Sequence, residues 1–454
     1  MKEYTDEYLK HISDIIAEDN QDQARAELEN LHPADIAELY QDLDLEQAEY
    51  LFKQLDEDTA AEVLMELDED DRLKLIETMP AEEIAKQIDH LDTDDAVDLI
   101  QQLDEEERDE ILSHIDDVEQ AGDIIDLLKY DEDTAGGLMG TEMIVVNENW
   151  SMPECIKQMR LQAEDMDEIH YVYVVDNDYR LRGTFPLKLM LTHPSVSKIK
   201  HVMEADPVSV KADTPIDDVA LDFEKYDLVA MPVVDSIGRL LGRITVDDVM
   251  DHVREASERD YQLASGLSSD VDADDSIIAQ TKARIPWLLV GIGSGILASV
   301  ILSTFEAQLQ AVTALALFIP IIGGTGGNVG VQASAIVVQG LANGSLDIKH
   351  FASQLGKEVL VGLLNATVIS AVVLIYNLIT LPGELAVTLS VAVSLFIVVM
   401  FATILGTVVP LTLEKLHINP ALATGPFIQI SNDIVGLIIY VQISTWFLAH
   451  LTAA

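Results

Sequence analysis

Positive charge is scarce in this chain, and sulfur chemistry is nearly absent. Only 27 Lys and Arg residues stand against 80 Asp and Glu, a formal net charge of −53 over 454 residues. An excess of that sign repels nucleic acid and anionic lipid headgroups, repels itself when compact, and attracts divalent cations. The single cysteine, Cys155, excludes a disulfide framework and gives no redox motif. No nucleophile–base pair and no His-rich cluster stands out, so an enzyme is not expected. The N-terminal run MKEYTDEYLKHISD is polar and acidic, unlike a signal peptide. The soluble part is therefore expected in the cytoplasm.

The acidity is unevenly spread. From Lys282 onward there are five basic residues (Lys282, Arg284, Lys349, Lys357, Lys415) and six acidic ones (Glu306, Asp347, Glu358, Glu384, Glu414, Asp433). The first 281 residues hold the other 22 basic and 74 acidic residues, a formal charge of −52. A very acidic soluble part thus joins a nearly neutral, apolar part. Five spans are predicted in the latter, at about 285–305, 311–341, 357–380, 385–412 and 420–449. With the N-terminus inside, all five basic residues fall on the inner side and the C-terminus lies outside. Asp433 is the one formally charged residue between Pro420 and Ala449. A carboxylate at the centre of a span costs about 2.5–3.5 kcal/mol on insertion scales. The default reading is an ion pathway or proton relay, and the bland one is hydrogen-bonding glue between helices.

Residues 32–115 repeat with a period of twelve, from HPADIAELYQDL to DEEERDEILSHI. Each unit opens on an Asp or Pro helix start and closes on Leu, Met or Ile (Leu43, Leu55, Leu67, Met79, Leu91, Leu103, Ile115). Caps of that kind predict one helix of about two turns per unit. Such helices are marginal alone and stack into a superhelix. Two βαββα-like units follow, HYVYVVDNDYRLRGTFPLKLML and AMPVVDSIGRLLGRITVDDVM, each with a strand ending in Val-Val-Asp and a turn. They resemble a tandem cystathionine-β-synthase-type (CBS) pair. That resemblance implies that an adenine nucleotide such as ATP, if one binds, sits at the second unit, where Gly242, Thr245 and Asp248 match the ribose-binding pattern. A helix from about Val246 to Gly266 then carries Asp248, Asp251 and Glu255 at i, i+3 and i+7. Like charges on one helix face destabilise it unless cations intervene, which favours a cation site over a merely solvated face.

In the second span, PIIGGTGGNVGVQASA is poor membrane-helix material. Its glycines permit close backbone approach, and an irregular backbone is expected, of the kind tolerated at that depth only where it faces protein or lines a wet cavity. The Gly425–Pro426 pair interrupts span five in a matching way.

With DTAGGLM (133–139), TVDDV (245–249), GTGGNVGVQ (324–332) and the NPALATGPF…SND segment (419–433), the chain resembles the MgtE-type magnesium channel family over essentially its whole length. The implied fold is a multidomain membrane protein. It has an all-α acidic superhelical N-domain (1–135), α/β tandem CBS domains (136–247), a connecting or plug helix (248–280) and a five-helix transmembrane domain (281–454). The resemblance implies a homodimer in the bacterial plasma membrane, importing Mg²⁺ and gated by cytosolic Mg²⁺. Asp433 would be the pore carboxylate, flanked by Asn328, Gln332, Gly327, Gly425, Ile428 and Gln429. Mg²⁺ sensing would fall to Asp94, Asp95, Asp98, the Gly136 carbonyl, Asp217, Asp227, Asp248, Asp251, Glu255 and Glu258. The chemistry agrees: Mg²⁺ keeps most of its water and is held by one or two carboxylates. Carriage of another divalent ion such as Co²⁺ or Mn²⁺, proton-coupled export through Asp433, and a membrane-anchored metal or nucleotide sensor are the alternatives.

Overall fold

The computed structural model describes residues 5–451 except 164–165, 167–168, 193–196, 270, 272–274, 307–311, 344 and 347–350. Lys349, one of the basic residues used for orientation, therefore lies outside the described residues. The chain forms two compact units, Met1–Val253 and Arg254–Ala454.

The first unit begins with helices α1 (Asp6–Ala17) and α2 (Gln21–Leu28). The twelve-residue repeat then becomes one helix per unit: α3 (Pro33–Gln41), α4 (Leu45–Phe52), α5 (Glu57–Glu66), α6 (Glu69–Ile76), α7 (Ala81–Ile88), α8 (Thr93–Gln101) and α9 (Glu105–Leu112), followed by α10 (Val118–Leu127). The starts are set locally. Asp44 and Gln47 form a reciprocal capping box, Asp56 accepts from the Thr59 amide, and Asp104 accepts from the Glu106 and Glu107 amides. Alternate helices touch, α3 on α5, α5 on α7, α7 on α9, α4 on α6 and α8 on α10, so each buries its apolar stripe between neighbours two places away. Leu39, Leu51, Leu64, Ile88, Leu99 and Ile100 form that ridge, and the core runs on without a break into Met231, Val233 and Ile244 of the second CBS-like sheet.

The first sheet has the order β1 (Ile144–Asn147), β2 (Val172–Val175), β3 (Leu181–Phe185), β4 (Glu204–Ala205), with β1 and β2 parallel and the rest antiparallel. The second has β5 (Val210–Lys211), β6 (Ala230–Val234) and β7 (Leu240–Thr245), again one parallel and one antiparallel pairing. Helices α11 (Met152–Gln162), α12 (Leu187–Thr192) and α13 (Ile216–Tyr226) complete the pair. Helix α14 spans Val246–Ser265. It stops there because Gly266 takes φ +87°, a left-handed cap that glycine adopts without strain. The connecting helix thus ends well short of residue 280, and the next helix starts at Ile277 behind the capping hydroxyl of Ser276.

Among the described residues, the second unit holds five helices long and apolar enough to cross a membrane: α15 (Ile277–Thr304), α16 (Ile319–Ala342, preceded by a 3₁₀ turn at Thr313–Phe318), α17 (Phe351–Thr380), α18 (Leu385–Lys415) and α19 (Gly425–Leu451). α18 is the most buried of the five and α15 the least. The glycine-rich run departs from expectation. It is an unbroken part of α16, with Pro320 in its first turn, where a missing N–H is harmless. The glycines serve packing. A Cβ on Gly326 would stand 2.8 Å from Val398 of α18, and one on Gly330 would stand 2.7 Å from Ile428 of α19. Low helix propensity is overridden because three backbones approach closely in the bundle. The break expected at Gly425–Pro426 falls just before that pair: a 3₁₀ turn at Pro420–Ala423 ends at Thr424, and Gly425 and Pro426 open α19.

Two substitutions separate local from tertiary contributions to the soluble unit. Asp104→Ala removes a cap and is expected to cost about 1 kcal/mol. Leu99→Ala opens the core and is expected to cost about 2–5 kcal/mol. Thermal unfolding of the purified full-length chain checks the order, and a larger loss for Asp104→Ala would contradict it.

Candidate functional site

Two groups of residues have the chemistry of an ion-handling protein, one in each unit. In the soluble unit, the group is built at the start of α8. Asp92 precedes that helix, but its side chain makes no cap hydrogen bond. Glu142 caps it from a distance: the Thr93 amide donates to Oε1 at 3.0 Å and the Thr93 hydroxyl to Oε2 at 3.1 Å. The Thr141 amide donates back to the Thr93 hydroxyl oxygen at 2.9 Å. A carboxylate belongs at a helix N-terminus, where free amides and the helix dipole favour negative charge. Gly140 forms the floor, since a Cβ there would meet Asp94 Oδ2 at 2.7 Å and Glu142 Oε2 at 2.9 Å.

One carboxylate oxygen from each of Asp92, Asp94 and Glu142 lies within 4.8 Å of the others, a spacing able to hold a cation. Asp248, at the start of α14, accepts from the Thr245 amide at 3.1 Å and from the Thr245 hydroxyl. Crowding has an electrostatic signature. Burial, then Asp248, Asp95, Glu142 and Asp92, push the Asp94 carboxyl well above the usual range. Burial, then Asp248, Asp98 and Asp92, push Asp95 up to about 7. Burial raises Glu142, with Asp92 adding to it, and burial also raises Asp248. Bringing these acids together is unfavourable without positive charge.

Of the sensor residues expected from sequence, Asp94, Asp95 and Asp248 meet here, and exposed Asp98 acts on Asp95 through its charge. The others are placed elsewhere. Asp217 is exposed in the first turn of α13, and Asp227 is exposed at its other end, in the left-handed region at φ 51°. Asp251, Glu255 and Glu258 are exposed along α14. Gly136 packs under the Tyr130 ring, and its amide donates to the Ala212 carbonyl at 2.9 Å. Asp92, Glu142 and Arg243 belong to the group and were not expected. Asp92 was legible as one of the repeat's cap positions. Glu142 reaches Thr93 across 49 residues, and no local pattern signals such a contact.

In the second unit, Asp433 sits on α19 against the glycines of α16. A Cβ on Gly323 would stand 3.3 Å from Asp433 Oδ1, and one on Gly327 would stand 3.7 Å from that oxygen and 3.2 Å from Gln429 Cγ. Side chains at these two positions would crowd the carboxylate. Asn328 and Gln332, one turn apart on α16, are exposed in the single chain together with Gln429, while Asp433 is half-buried. Amides exposed on apolar helices are costly in lipid, so these positions need water or protein over them. The Ile428 side chain is wholly buried against Gly330, so only its backbone is left to face the expected pore lining. Gly425 is pressed against the Ala264 carbonyl, and a Cβ on Gly266 would come within 2.6 Å of Pro426 Cγ. Close by, the Asn419 amide donates to Asp260 Oδ1 at 2.8 Å. The end of α14 is thereby fastened to the start of α19. Asn419, Asp260 and the fully buried Asn432 are additions that sequence reasoning passed over.

The raised carboxyls give a pH dependence with a definite sign. A folded-state value above the unfolded one means that the native state holds more protons, so stability falls as pH rises from about 4 through about 7. Without divalent ions, the soluble unit of the full-length protein is expected to lose stability over that window. Asp95→Asn should flatten the slope, and Mg²⁺ should oppose it. Thermal unfolding against pH in EDTA checks this, and a rise in stability over the window would contradict it.

Comparison with known proteins places these groups. Residues 319–443 match the family model for MgtE, described as a divalent cation transporter, 31–133 match the MgtE intracellular N domain, and 135–192 and 199–255 match the CBS domain. The magnesium transporter MgtE of Thermus thermophilus is 36% identical over 325 residues, covering 70% of this chain and 71% of the relative. That of Bacillus subtilis is 30% identical over 325 residues, 72% of each. Among solved structures, the soluble part of a magnesium transporter matches with a TM-score of 0.50 and 28% identity, over 55% of this chain and 98% of that one. The cytosolic domain of the Mg²⁺ channel MgtE in complex with ATP matches with a TM-score of 0.51 and 30% identity, over 54% of this chain and 99% of that one. The chain belongs to the MgtE family of divalent cation transporters.

Proposed function

We propose that the protein is a Mg²⁺ channel of the bacterial plasma membrane, importing Mg²⁺ as a homodimer and closed by cytosolic Mg²⁺ bound to its acidic soluble unit. The observation that carries the reading is Asp433. It is the one formal charge of its span, lodged on a glycine floor one turn from the exposed amide Gln429, with the amides Asn328 and Gln332 exposed elsewhere on the same glycine-rich helix. A second copy of the chain facing this surface supplies a second Asp433 and covers the amides. Two carboxylates and surrounding water suit an ion that demands octahedral oxygen and sheds its water reluctantly. The spans offer no thiol, which disfavours a soft-metal site.

The gate follows from Asp92, Asp94, Asp95, Glu142 and Asp248. Bound Mg²⁺ offsets their repulsion and stabilises the compact arrangement. Its loss lets the charges separate the segments that carry them. Moving a two-state equilibrium from 1:99 to 99:1 takes about 10⁴-fold differential affinity. One weak Mg²⁺ site cannot supply that, but several sites in two subunits can. The exposed acids Asp98, Asp217, Asp227, Asp251, Glu255 and Glu258 and the Gly136 carbonyl are the further candidates for such sites. Domain limits follow the same division: 1–135, 136–247, 248–280 and 281–454. Thr245 is buried and bonded to Asp248 Oδ2, so an adenine nucleotide there would be met by Asp248 Oδ1, the carboxylate oxygen those bonds leave over. Gating as proposed needs no nucleotide.

Mg²⁺ flux into proteoliposomes tests the pore. Asp433→Ala is expected to lower flux by about tenfold or more, the scale of losing a charge-assisted contact. Asp433→Asn should also impair it, without changing the pH dependence of what remains. Undiminished flux in Asp433→Ala would remove Asp433 from the pathway. A pH dependence that vanishes in Asp433→Asn would favour a proton relay.

A further inference from the structure

Asn432, the chain neighbour of Asp433, is wholly buried, and neither its Nδ2 nor its Oδ1 meets a hydrogen-bond partner among the described residues. Ser334 of α16 is wholly buried too, and its hydroxyl is equally unpartnered. Polar groups left in this way among apolar helices are costly, and leucine and alanine in the same places would avoid the cost. The two residues belong to one helix contact. A Cβ on Gly330 would collide with Asn432 Nδ2, so α19 rests its amide on that glycine. Ser334 lies one turn further along α16. It prolongs the stripe of Gly323, Gly327 and Gly330, at i, i+4, i+7 and i+11, whose glycines face α19.

The stripe also gives a direction. Asp433 stands against Gly323 and Gly327, whereas Ile428 and Asn432 stand against Gly330, so α16 and α19 run antiparallel here. Helical side chains lean toward the N-terminus of their own helix, so Asn432 leans toward the Ser334 end of α16. A slide of α19 in that direction by at most one turn, about 5.4 Å, brings the amide to the hydroxyl. Each group has both a donor and an acceptor to offer the other. The intervening glycines present no side chain to ride over. One-turn ratchets of this kind are a known form of helix switching. The start of α19 is where a slide can be driven. The helix begins afresh after the 3₁₀ turn, and within the second unit the end of α14 bears on its first turn through Ala264, Gly266 and Asp260.

Resting on the Mg²⁺-gating reading above, we propose that α19 has two registers on α16. The described register, found with the soluble acids gathered, is the closed one: Asp433 lies on Gly323 and Gly327, and Asn432 and Ser334 are apart. In the open register α19 has slid toward Ser334, the Asn432–Ser334 bond is made, and Asp433 has moved off Gly323 toward Gly330. Asn432 is thus a positioning residue for the pore carboxylate. Its bond to Ser334 biases the channel toward opening, and Mg²⁺ on the soluble unit has to outweigh that bias.

Disulfide trapping tests the slide. The full-length chain carries Asn432→Cys and Ser334→Cys with its one native thiol removed by Cys155→Ser, and is oxidised in detergent. In EDTA an intrachain 334–432 cross-link is expected, read by mass spectrometry, and saturating Mg²⁺ should slow it roughly tenfold or more, as a shifted two-state equilibrium requires. No cross-link in EDTA, or one that forms equally fast in Mg²⁺, would overturn the proposal. A second measurement decides if the cysteine pair does not fold. In proteoliposomes, Ser334→Ala and Asn432→Leu should each lower the Mg²⁺ concentration that half-closes the channel, by up to about tenfold, the scale of one neutral hydrogen bond. The double variant should go no lower than either single one. Unchanged, additive or opposed shifts would overturn the proposal, because two unrelated packing positions have no reason to share one effect. Wild-type flux that ignores Mg²⁺ sinks the gating reading itself. Gated wild-type flux with a cross-link that is absent, or indifferent to Mg²⁺, sinks the slide alone.

Discussion

Carboxylates pressed against one another are the constraint on which the soluble half of this protein depends. Asp94, Asp95 and Glu142 gather at the start of α8, and Asp248 at the start of α14 reaches the same group. Two charges 4 Å apart repel by about 4 kcal/mol at the effective dielectric of a protein surface. That is a large fraction of a domain's stability, typically about 5–15 kcal/mol. The fold brings the acids together by tying their segments with Thr93, Thr141 and Arg243. On the proposed gating, what remains uncompensated makes the compact state sensitive to cations. A hydrophobic interface in the same place would hold the segments together at any ion concentration.

The second unit solves a different problem with related means. A single carboxylate in an apolar helix needs room, and room among packed helices comes from residues without side chains. Gly323 and Gly327 supply it on α16, while Gly326 and Gly330 let the same helix approach α18 and α19. One glycine stripe, at i, i+3, i+4 and i+7 along α16, thus serves both the bundle and Asp433. At its lower-numbered end, α19 is held to α14 through the Asn419–Asp260 bond and the Gly425 and Gly266 contacts. These contacts give a mechanical route by which a displacement of α14 reaches the helix that bears Asp433.

How much of this was legible depended on the range of the interaction. The twelve-residue repeat could be read because a capping Asp, acids in the first turn and a closing Leu are local signals, and each repeat became one helix. The five apolar helices were equally plain. The glycine run misled. By propensity it should break a helix, yet tertiary packing keeps it regular. The burial of the Ile428 side chain could not be read from sequence either, since only the bundle decides which face of α19 is inside. Glu142 and Arg243 left no trace in the sequence. They act across 49 and 151 residues, and both resemble ordinary charged residues in a chain rich in them. Resemblance to the family pointed to all the acids named for sensing; Asp94, Asp95 and Asp248 of that set come together, whereas Asp217, Asp227 and the acids further along α14 stand apart.

The most direct measurement is conductance or flux of the wild-type channel with Mg²⁺ varied only on the side that carries the soluble unit. If repulsion among the carboxylates opens the channel and Mg²⁺ offsets it, transport falls steeply as that concentration rises, and the fall is steeper than a single binding site allows. Transport that ignores Mg²⁺ on that side, while still requiring Asp433, would leave the pore standing and contradict the link between the acidic group and the gate.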